Sequence, residues 1–276
     1  MIDFGLAGTV VAVTGGGSGI GRSIAEFAGA HGVRVAVIDR DESAAKSVAA
    51  DLPDARAYTL DVRDPEETDA VFTAVERELG PLHGAVTCAG VSLPGVADRL
   101  SHERWSTVLD VNLTGTFLSL QAAGRRMLPR GAGALVAVGS VDSFGGHGER
   151  ANYAASKAGI AGVVRSMAID WGPRGVRVNA IAPGAVDTPL LRRNIPADVI
   201  RDTMVARTPL GRLSTGADQA AAALFLLSDA AAYVTGVLLP VDGGTTAGYF
   251  THIAPAGDGP APDDGAARSP GLPAGR

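Results

Sequence analysis

Three residues near the middle of the chain have the types and the spacing that proton transfer requires. Tyr153 and Lys157 stand four residues apart in a helical pattern, so both side chains project from one face of the predicted helix. A nearby ammonium stabilises a phenolate, so Lys157 is expected to lower the pKa of Tyr153 from its reference value of about 10. Ser140 ends a predicted strand and could hold a substrate oxygen beside the phenol. This pattern predicts a general acid–base site, although an isolated Tyr-x-x-x-Lys pair is more often a solvated helix face.

A glycine-rich stretch supplies the second chemical signal. The segment TGGGSGIG, residues 14–21, follows the first predicted strand and opens the first predicted helix. In that position, glycines let the backbone approach a pyrophosphate, and a helix N-terminus favours its negative charge. The spacing differs from the strict G-x-G-x-x-G fingerprint, so the motif alone also fits a flexible connection. Its place between a strand and a helix favours a dinucleotide site.

An acidic residue at the end of the second predicted strand indicates which dinucleotide binds. Asp39 follows Gly21 by eighteen residues, and a carboxylate there can accept both hydroxyls of an adenosine ribose while repelling a 2′-phosphate. The pattern therefore favours NAD over NADP. The alternatives are that Asp39 only terminates a strand, or that Arg40 holds a 2′-phosphate; Gly16 and Gly17 offer no second positive charge for such a group.

Asn112 is the fourth candidate in the reacting region. It lies in DVNLTG, inside a helical pattern where asparagine is a poor helix former, which predicts a locally bent backbone bridged by water. A solvent-facing asparagine is the alternative. Cys88, the single cysteine, is expected to be buried and to serve packing, because no histidine partner is evident.

The elements that must position these residues alternate along the chain. Seven short, continuously apolar runs rich in β-branched residues alternate with longer helical patterns, as parallel strands covered on both faces by helices require. The predicted fold is an α/β, Rossmann-like, doubly wound, seven-stranded parallel sheet with helices on both faces. Strands are predicted at 9–14, 33–39, 56–62, 84–89, 133–140, 176–183 and 236–242.

Composition excludes several classes of function. The chain has 276 residues, 46% of them hydrophobic, and a net charge of −5 without any block of like charge, so nothing favours nucleic acid or anionic lipid. Its histidines lack metal-ligand spacing, and no metal is expected. Without a signal peptide or an uninterrupted membrane span, we expect a cytoplasmic protein. Residues 1–250 are predicted to form one catalytic domain, and the Ala/Gly/Pro-rich residues 251–276 a disordered tail.

Taken together, these motifs resemble the short-chain dehydrogenase/reductase family over residues 5 to about 248. The matches are Thr14-Gly-x-x-x-Gly-x-Gly21, Asp61-Val62, Ala89-Gly90, Asn112, Ser140 thirteen residues before Tyr153, Lys157, Asn179, Pro183-Gly184, Thr188 and VDGG at 241–244. One departure is Thr87-Cys88-Ala89-Gly90, where the family usually has Asn-x-Ala-Gly, which leaves open how this strand is tied to its neighbour.

The resemblance implies a role for each matching position. Asn112, Ser140, Tyr153 and Lys157 would form the catalytic tetrad, with Tyr153 as general acid or base, Ser140 orienting the substrate oxygen and Asn112 in a proton relay. Lys157 would also hold the nicotinamide ribose. The residues expected to bind the cofactor are Gly15, Ser18, Gly19, Ile20, Gly21, Asp39, Arg40, Asp61, Val62, Ala89, Gly90, Tyr153, Lys157, Pro183, Gly184, Val186 and Thr188.

The segment after Pro183-Gly184 is expected to decide the substrate, because it is long, mixed in character and placed over the carboxyl edge of the sheet. It is predicted to act as a lid with an apolar underside that includes Leu190 and Leu191. Arg192 and Arg193 could meet an acidic substrate, although a solvated helix face is the stronger alternative. In the loop after Ser140, Asp142 and His147 could meet a polar substituent.

Three functions remain open at this stage. The leading one is an NAD-dependent dehydrogenase of secondary alcohols on small or medium-sized metabolites, cyclic ones included, whose substrate and physiological direction stay open. The second is an NADPH-dependent 3-oxoacyl carrier-protein reductase, which would want a basic residue in the glycine loop. The third is a non-catalytic dinucleotide-binding sensor or scaffold, which would have no use for the Ser140, Tyr153 and Lys157 constellation. The resemblance also implies a homotetramer built on the helices around 101–129 and 152–172.

Overall fold

The computed structural model describes residues 4–188, 191–192 and 195–248. The strands are β1 (Val10–Thr14), β2 (Arg34–Asp39), β3 (Ala55–Thr59), β4 (Leu82–Thr87), β5 (Gly133–Val138), β6 (Val176–Pro183) and β7 (Leu238–Val241). The main helices are α1 (Gly19–Ala30), α2 (Glu42–Ala50), α3 (Pro65–Leu79), α4 (His102–Leu109), α5 (Gly115–Met127), α6 (Ala151–Trp171) and α7 (Gly216–Leu227).

The strands form one parallel sheet in the order β3-β2-β1-β4-β5-β6-β7. This order confirms the predicted seven-stranded, doubly wound architecture. The chain reverses its direction of winding between β1 and β4, where Thr14 pairs with Ile38 on one side and with Thr87 on the other. In such sheets, the crevice at the carboxyl ends of the strands beside this reversal is where ligands bind.

Two apolar cores cover the two faces of the sheet. Phe72 of α3, Leu120 of α5 and Ile160 of α6 belong to one core, and Ile24 of α1 and Leu224 of α7 belong to the other. All five side chains are fully buried. The central strands are buried on both faces, which explains why their sequences are continuously apolar and do not alternate.

Local sequence signals fix several ends of these elements. The Asp64 carboxylate accepts hydrogen bonds from the first turn of α3, and Pro65 occupies its first position. Thr215 and Asp218 form a capping box at the start of α7. The third strand is shorter than the predicted 56–62: β3 ends at Thr59, because Thr59 is its last residue paired with β2, and Asp61-Val62 lie beyond the sheet.

None of the described helices combines the length and the hydropathy that a membrane span requires. The part of the chain that the structure describes contains no group of three or more His, Cys, Asp or Glu side chains placed to hold a metal ion. The predicted tail, 251–276, lies outside the described residues.

Candidate active site

A cleft of about 550 Å³ opens at the carboxyl edge of the sheet, where the winding reverses. It brings together most of the residues that the sequence singles out. Its walls include Gly15, Ser18, Gly19, Ile20, Asp39, Arg40, Asp61, Val62, Ala89, Gly90, Ser140, Tyr153, Lys157, Pro183, Gly184 and Thr188. Among the predicted cofactor residues, Gly21 and Val186 do not line the cleft: Gly21 packs behind the loop, and Val186 is buried beside Ser214.

The glycine loop is shaped by close backbone contacts. Gly15 has a φ of 66°, and a Cβ there would lie 2.7 Å from the Ala89 nitrogen. A Cβ on Gly21 would lie 2.1 Å from the Gly15 carbonyl oxygen, so the loop can fold onto α1 only with glycine at that position. Ser18 occupies the N-cap position of α1, but its side chain makes no capping bond. The loop therefore offers a tightly folded backbone, a helix N-terminus and an unused hydroxyl, which fit a pyrophosphate.

Asp39 stands at the end of β2, next to this loop. Its carboxylate accepts hydrogen bonds from the Gly17 nitrogen at 3.0 Å and from the Asp41 nitrogen at 3.0 Å. A side chain on Gly17 would meet this carboxylate, because a Cβ there would lie 2.9 Å from Asp39 Oδ2. The arrangement holds a negative charge where a ribose hydroxyl could reach it, and any side chain at position 17 would have to displace the Asp39 carboxylate and Ala44. Arg40 is exposed on the same wall.

Thr14 ties β4 to β1 at the point where the family motif departs. Thr14 Oγ1 accepts hydrogen bonds from the Cys88 nitrogen at 3.2 Å and from the Ala89 nitrogen at 3.4 Å. Thr87 Oγ1 is buried and has no hydrogen-bond partner in the described part of the chain, so the threonine does not replace an asparagine amide. Cys88, expected to be buried, is partly exposed and lines the cleft. Desolvation raises the pKa of its thiol to about 11, which opposes a nucleophilic role.

Ser140 follows β5 and begins a short 3-10 turn over Val141–Ser143. Its hydroxyl oxygen accepts a hydrogen bond from the Asp142 nitrogen at 3.1 Å. The Ser143 hydroxyl donates to the Lys157 carbonyl at 2.8 Å, which anchors the turn to α6. The turn thereby fixes Ser140 beside the helix that carries Tyr153.

Lys157 is buried and held in a defined position beside the phenol. Its Nζ donates to the Val138 carbonyl at 2.8 Å and lies 5.6 Å from the centroid of the Tyr153 ring. Burial lowers the pKa of Lys157 from 10.5 to about 8, while the charge of Asp142 raises it in part. The ammonium therefore sits where it can act on an oxygen bound beside Tyr153.

Burial also governs the phenol, against the expectation from sequence. Desolvation raises the pKa of Tyr153 above its usual value. The interaction with the Ser140 hydroxyl and the charge of Arg150 lower it, whereas the charge of Asp142 raises it. The sequence predicts that Lys157 lowers the pKa of Tyr153, but in the folded protein this pKa is raised. The cost of burying a phenolate is the largest contribution.

Asn112 lies in a π-helical turn over Asp110–Thr114, between α4 and α5. This turn confirms the bent backbone that the sequence predicts, and the side chain is fully buried, so the solvent-facing alternative is wrong. Asn112 Oδ1 accepts from the Val91 nitrogen at 2.8 Å, and Nδ2 donates to the Val91 carbonyl at 3.0 Å. Nδ2 also donates to Ser156 Oγ at 3.2 Å, which links the turn to the helix of Tyr153.

The sequence reasoning missed two residues that fix the wall after β4. Asn152 Nδ2 donates to the Leu93 carbonyl at 3.0 Å, and its Oδ1 accepts from the Tyr153 nitrogen at 2.8 Å. Arg150 Nη1 donates to Ser92 Oγ. The sequence signal that could have identified these two residues is the mostly polar run ERAN, which directly precedes Tyr153 at the start of its helix.

The residues predicted to meet the substrate are only partly brought together. Asp142 is buried, and its Oδ1 accepts from His147 Nδ1 at 2.9 Å, so the two form a pair one turn beyond Ser140. Leu191 is partly buried, and its nitrogen donates to Thr188 Oγ1 at 3.2 Å. Leu190 and Arg193 lie outside the described residues. Arg192 makes a two-point ion pair with Asp187, which supports the surface interpretation of this arginine.

The chain is similar to known dehydrogenases and reductases over most of its length. A family model described as Enoyl-(Acyl carrier protein) reductase matches residues 15–246. The chain is 40% identical over 250 residues to 2-(S)-hydroxypropyl-CoM dehydrogenase 3 of Xanthobacter autotrophicus, covering 88% of this chain and 98% of that protein. It is 38% identical to the 3-oxoacyl-acyl-carrier-protein reductase MabA of Mycobacterium tuberculosis, covering 87% and 93%. The crystal structure of gox2181 superposes with a TM-score of 0.84 at 35% identity, covering 88% and 97%.

Proposed function

The chain belongs to the short-chain dehydrogenase/reductase family and is an NAD(P)-dependent oxidoreductase, and from this premise we propose that it is an NAD-dependent dehydrogenase of secondary alcohols. Its substrates would be small or medium-sized metabolites, cyclic ones included, interconverted with their ketones. The observation that carries the proposal is that Ser140, Tyr153 and Lys157 line the same cleft as the glycine loop and Asp39.

In the direction of oxidation, Tyr153 acts as a phenolate and removes the proton of the alcohol oxygen. Ser140 orients that oxygen with its hydroxyl. The glycine loop and Asp39 would hold NAD in the cleft, and the bound cofactor would supply the acceptor for the hydride of the carbinol carbon, so that proton loss to Tyr153 and hydride loss together would give the carbonyl. Ketone reduction follows the same path in reverse, with Tyr153 as the acid.

Lys157 and Asn112 support this proton transfer in different ways. The Lys157 ammonium stabilises negative charge on the Tyr153 oxygen and would bind the nicotinamide ribose. Asn112 connects the backbone of Val91 with Ser156, whose hydroxyl donates to the Tyr153 carbonyl at 2.7 Å. Its proposed place is in the relay that carries the proton from Lys157 toward solvent.

Cofactor choice is tested through Asp39. We expect the purified protein to bind NADH at least tenfold more tightly than NADPH in a fluorescence titration, a difference of ~1.4 kcal/mol. The carboxylate would bind the adenosine ribose and repel the 2′-phosphate. Asp39→Asn, which removes the charge but keeps the shape, should reduce this preference, and Asp51→Asn at the end of α2 should leave it unchanged.

Tighter binding of NADPH would contradict this assignment and show that Arg40 sets the preference. The carrier-linked 3-oxoacyl reductase would then become the leading function, in line with the similarity to MabA. The glycine loop argues against it, because residues 15–21 carry no basic side chain that could meet a 2′-phosphate. A purely binding protein is disfavoured by the reacting constellation in the cleft.

The charge of Asp142 should shift the pH range of the reaction. Because this carboxylate raises the pKa of Tyr153, Asp142→Asn is expected to move the rise of kcat/KM for oxidation to lower pH. Asp202→Asn, in an exposed ion pair with Arg201, is the matched control and should not move it. A pH profile of Asp142→Asn that superimposes on the wild-type profile would show that Asp142 does not act on the phenol.

The proposal extends to organisation and assembly. Residues 1–250 would form one catalytic domain of a cytoplasmic homotetramer. Exposed apolar side chains on two helices support the assembly: Ile169 of α6 is 76% exposed and Phe117 of α5 is 38% exposed. Burial of such side chains in subunit contacts would remove apolar surface from water.

A further inference from the structure

Among the residues that the structure describes, Arg150 has no carboxylate partner, and it lies close in sequence to the proposed reacting group Tyr153. Arg150 directly precedes α6, three residues before Tyr153, and is partly buried. Its Nη1 donates to Ser92 Oγ, and Ser92 lines the cleft. The guanidinium is also close enough to lower the pKa of Tyr153 electrostatically. The bond to Ser92 therefore holds the Arg150 guanidinium against the wall of the cleft, near the helix that carries Tyr153.

Most of the hydrogen-bond donors of Arg150 have no partner among the described residues. A guanidinium carries five N–H donors, and only the bond to Ser92 uses one of them among the residues that the structure describes. Among the described residues, no carboxylate oxygen lies within 4.0 Å of the Arg150 guanidinium. Arg192 and Arg212, in contrast, each make a two-point ion pair with an aspartate. Asp142, the carboxylate that acts on Tyr153, is hydrogen-bonded to His147 and not to Arg150.

Partial burial of an unpaired guanidinium is costly unless an anion joins it. Its planar fork matches the two oxygens of a carboxylate, and such bidentate bonds are about twice as strong as neutral ones. If Arg150 only anchored the loop after β4, a neutral donor would be sufficient at this position, because the partner of Arg150 in the protein is the Ser92 hydroxyl.

We propose that Arg150 is an anion subsite of the substrate cleft and that the alcohol or ketone taken by this protein carries a carboxylate or a similar oxyanion. The inference rests on the proposed function, whose substrate class it narrows. The anionic group is held at Arg150 while the reacting carbon lies at Ser140 and Tyr153. Substrate charge, and not only its shape, then decides which alcohols turn over.

The test compares ligands that differ only in charge. Wild-type protein saturated with NAD is titrated calorimetrically with acetoacetate, levulinate and 5-oxohexanoate and with the methyl ester of each. These ketones cannot be oxidised by NAD, so binding is measured without turnover. We expect at least one acid to bind tenfold or more tightly than its ester, with the chain length of the best acid reporting the distance from Arg150 to the reacting carbon.

Two variants distinguish an anion-binding role of Arg150 from a purely structural role in the loop after β4. Arg150→Gln keeps a donor for Ser92 and should bring the acid-to-ester ratio to about one. Arg104→Gln is the matched control, because Arg104 Nη1 donates to the Pro94 carbonyl of the same loop at 3.2 Å and is exposed; it should keep the wild-type ratio. Arg150→Gln should also move the pH profile for oxidation of a neutral alcohol to higher pH, which a purely structural role would not do.

Equal binding of acid and ester at every chain length in the wild-type protein would overturn the proposal. The same conclusion follows if Arg150→Gln retains the acid preference. Either result is distinct from failure of the proposed function, which is judged by whether NAD is reduced by secondary alcohols of any charge.

Discussion

Replacing Tyr153 with phenylalanine is expected to lower kcat for alcohol oxidation by about 10²–10⁴-fold. The variant keeps the ring that packs in the cleft and removes only the hydroxyl that would exchange the proton with the substrate oxygen. Lys157 and Ser140 keep their positions through bonds to Val138 and within the Ser140 turn, so affinity for NADH should not change. Steady-state rates and NADH titrations on the same preparations measure both effects.

Tyr58→Phe is the matched control for this substitution. The Tyr58 hydroxyl donates to Glu78 at 3.2 Å, on β3 and away from the cleft, so its loss should leave kcat unchanged. If Tyr153→Phe kept more than about a tenth of wild-type kcat, general acid–base catalysis by this tyrosine would be excluded.

Replacing Lys157 with methionine is expected to have opposite effects on activity and on stability. Loss of the ammonium near the Tyr153 ring should lower kcat/KM by about 10²-fold or more, because electrostatic stabilisation of the developing charge is removed. The same substitution removes a buried charge that is costly to the folded protein. A lowering of its pKa from 10.5 to about 8 corresponds to roughly 3 kcal/mol. Since the Val138 carbonyl loses its donor, the net gain at neutral pH should be about 1–2 kcal/mol.

The lowered pKa of Lys157 determines how the free energy of unfolding should change with pH. Below about pH 8 the lysine is protonated in both the folded and the unfolded chain, so the full cost of burial is present. Between about pH 8 and 10.5 the unfolded chain retains a proton that the folded protein has released, so the contribution of Lys157 makes the free energy of unfolding rise with pH. Denaturant unfolding at a series of pH values should show that this contribution is missing in Lys157→Met.

Lys46→Met provides the comparison, because Lys46 lies on the exposed side of α2 and pairs with Glu42. Its unfolding profile should run parallel to that of the wild-type protein. A Lys157→Met profile that also ran parallel to the wild-type one, with no gain at neutral pH, would show that burial of this lysine is not costly.

Much of the framework could be predicted from the sequence because its signals are local. Continuous apolar runs identified the strands, and the caps at Asp64 and Thr215 fixed two helix starts. The poor helix propensity of Asn112 predicted a distortion that the π turn confirms. Each of these features depends on the residue and its immediate neighbours, which the sequence displays directly.

The remaining features depend on contacts between distant segments. The tie from Thr14 to Cys88 spans 74 positions, and the contact of Asn152 with Leu93 spans 59. The direction of the Tyr153 pKa could not be predicted, because the spacing to Lys157 shows an attractive charge but not how deeply the phenol is buried. Arg150 was missed for the same reason, since its lack of a carboxylate partner is visible only in the folded protein.

The most direct test of the central claim is whether the protein transfers hydride from secondary alcohols to NAD. Purified wild-type protein and Tyr153→Phe would be incubated with NAD and a panel of linear and cyclic secondary alcohols, both neutral and carrying a carboxylate, while NADH formation is followed by absorbance. The account predicts NADH formation with at least one alcohol, and its loss in Tyr153→Phe. No reduction of NAD by any alcohol in the panel, or equal rates for the two proteins, would contradict it.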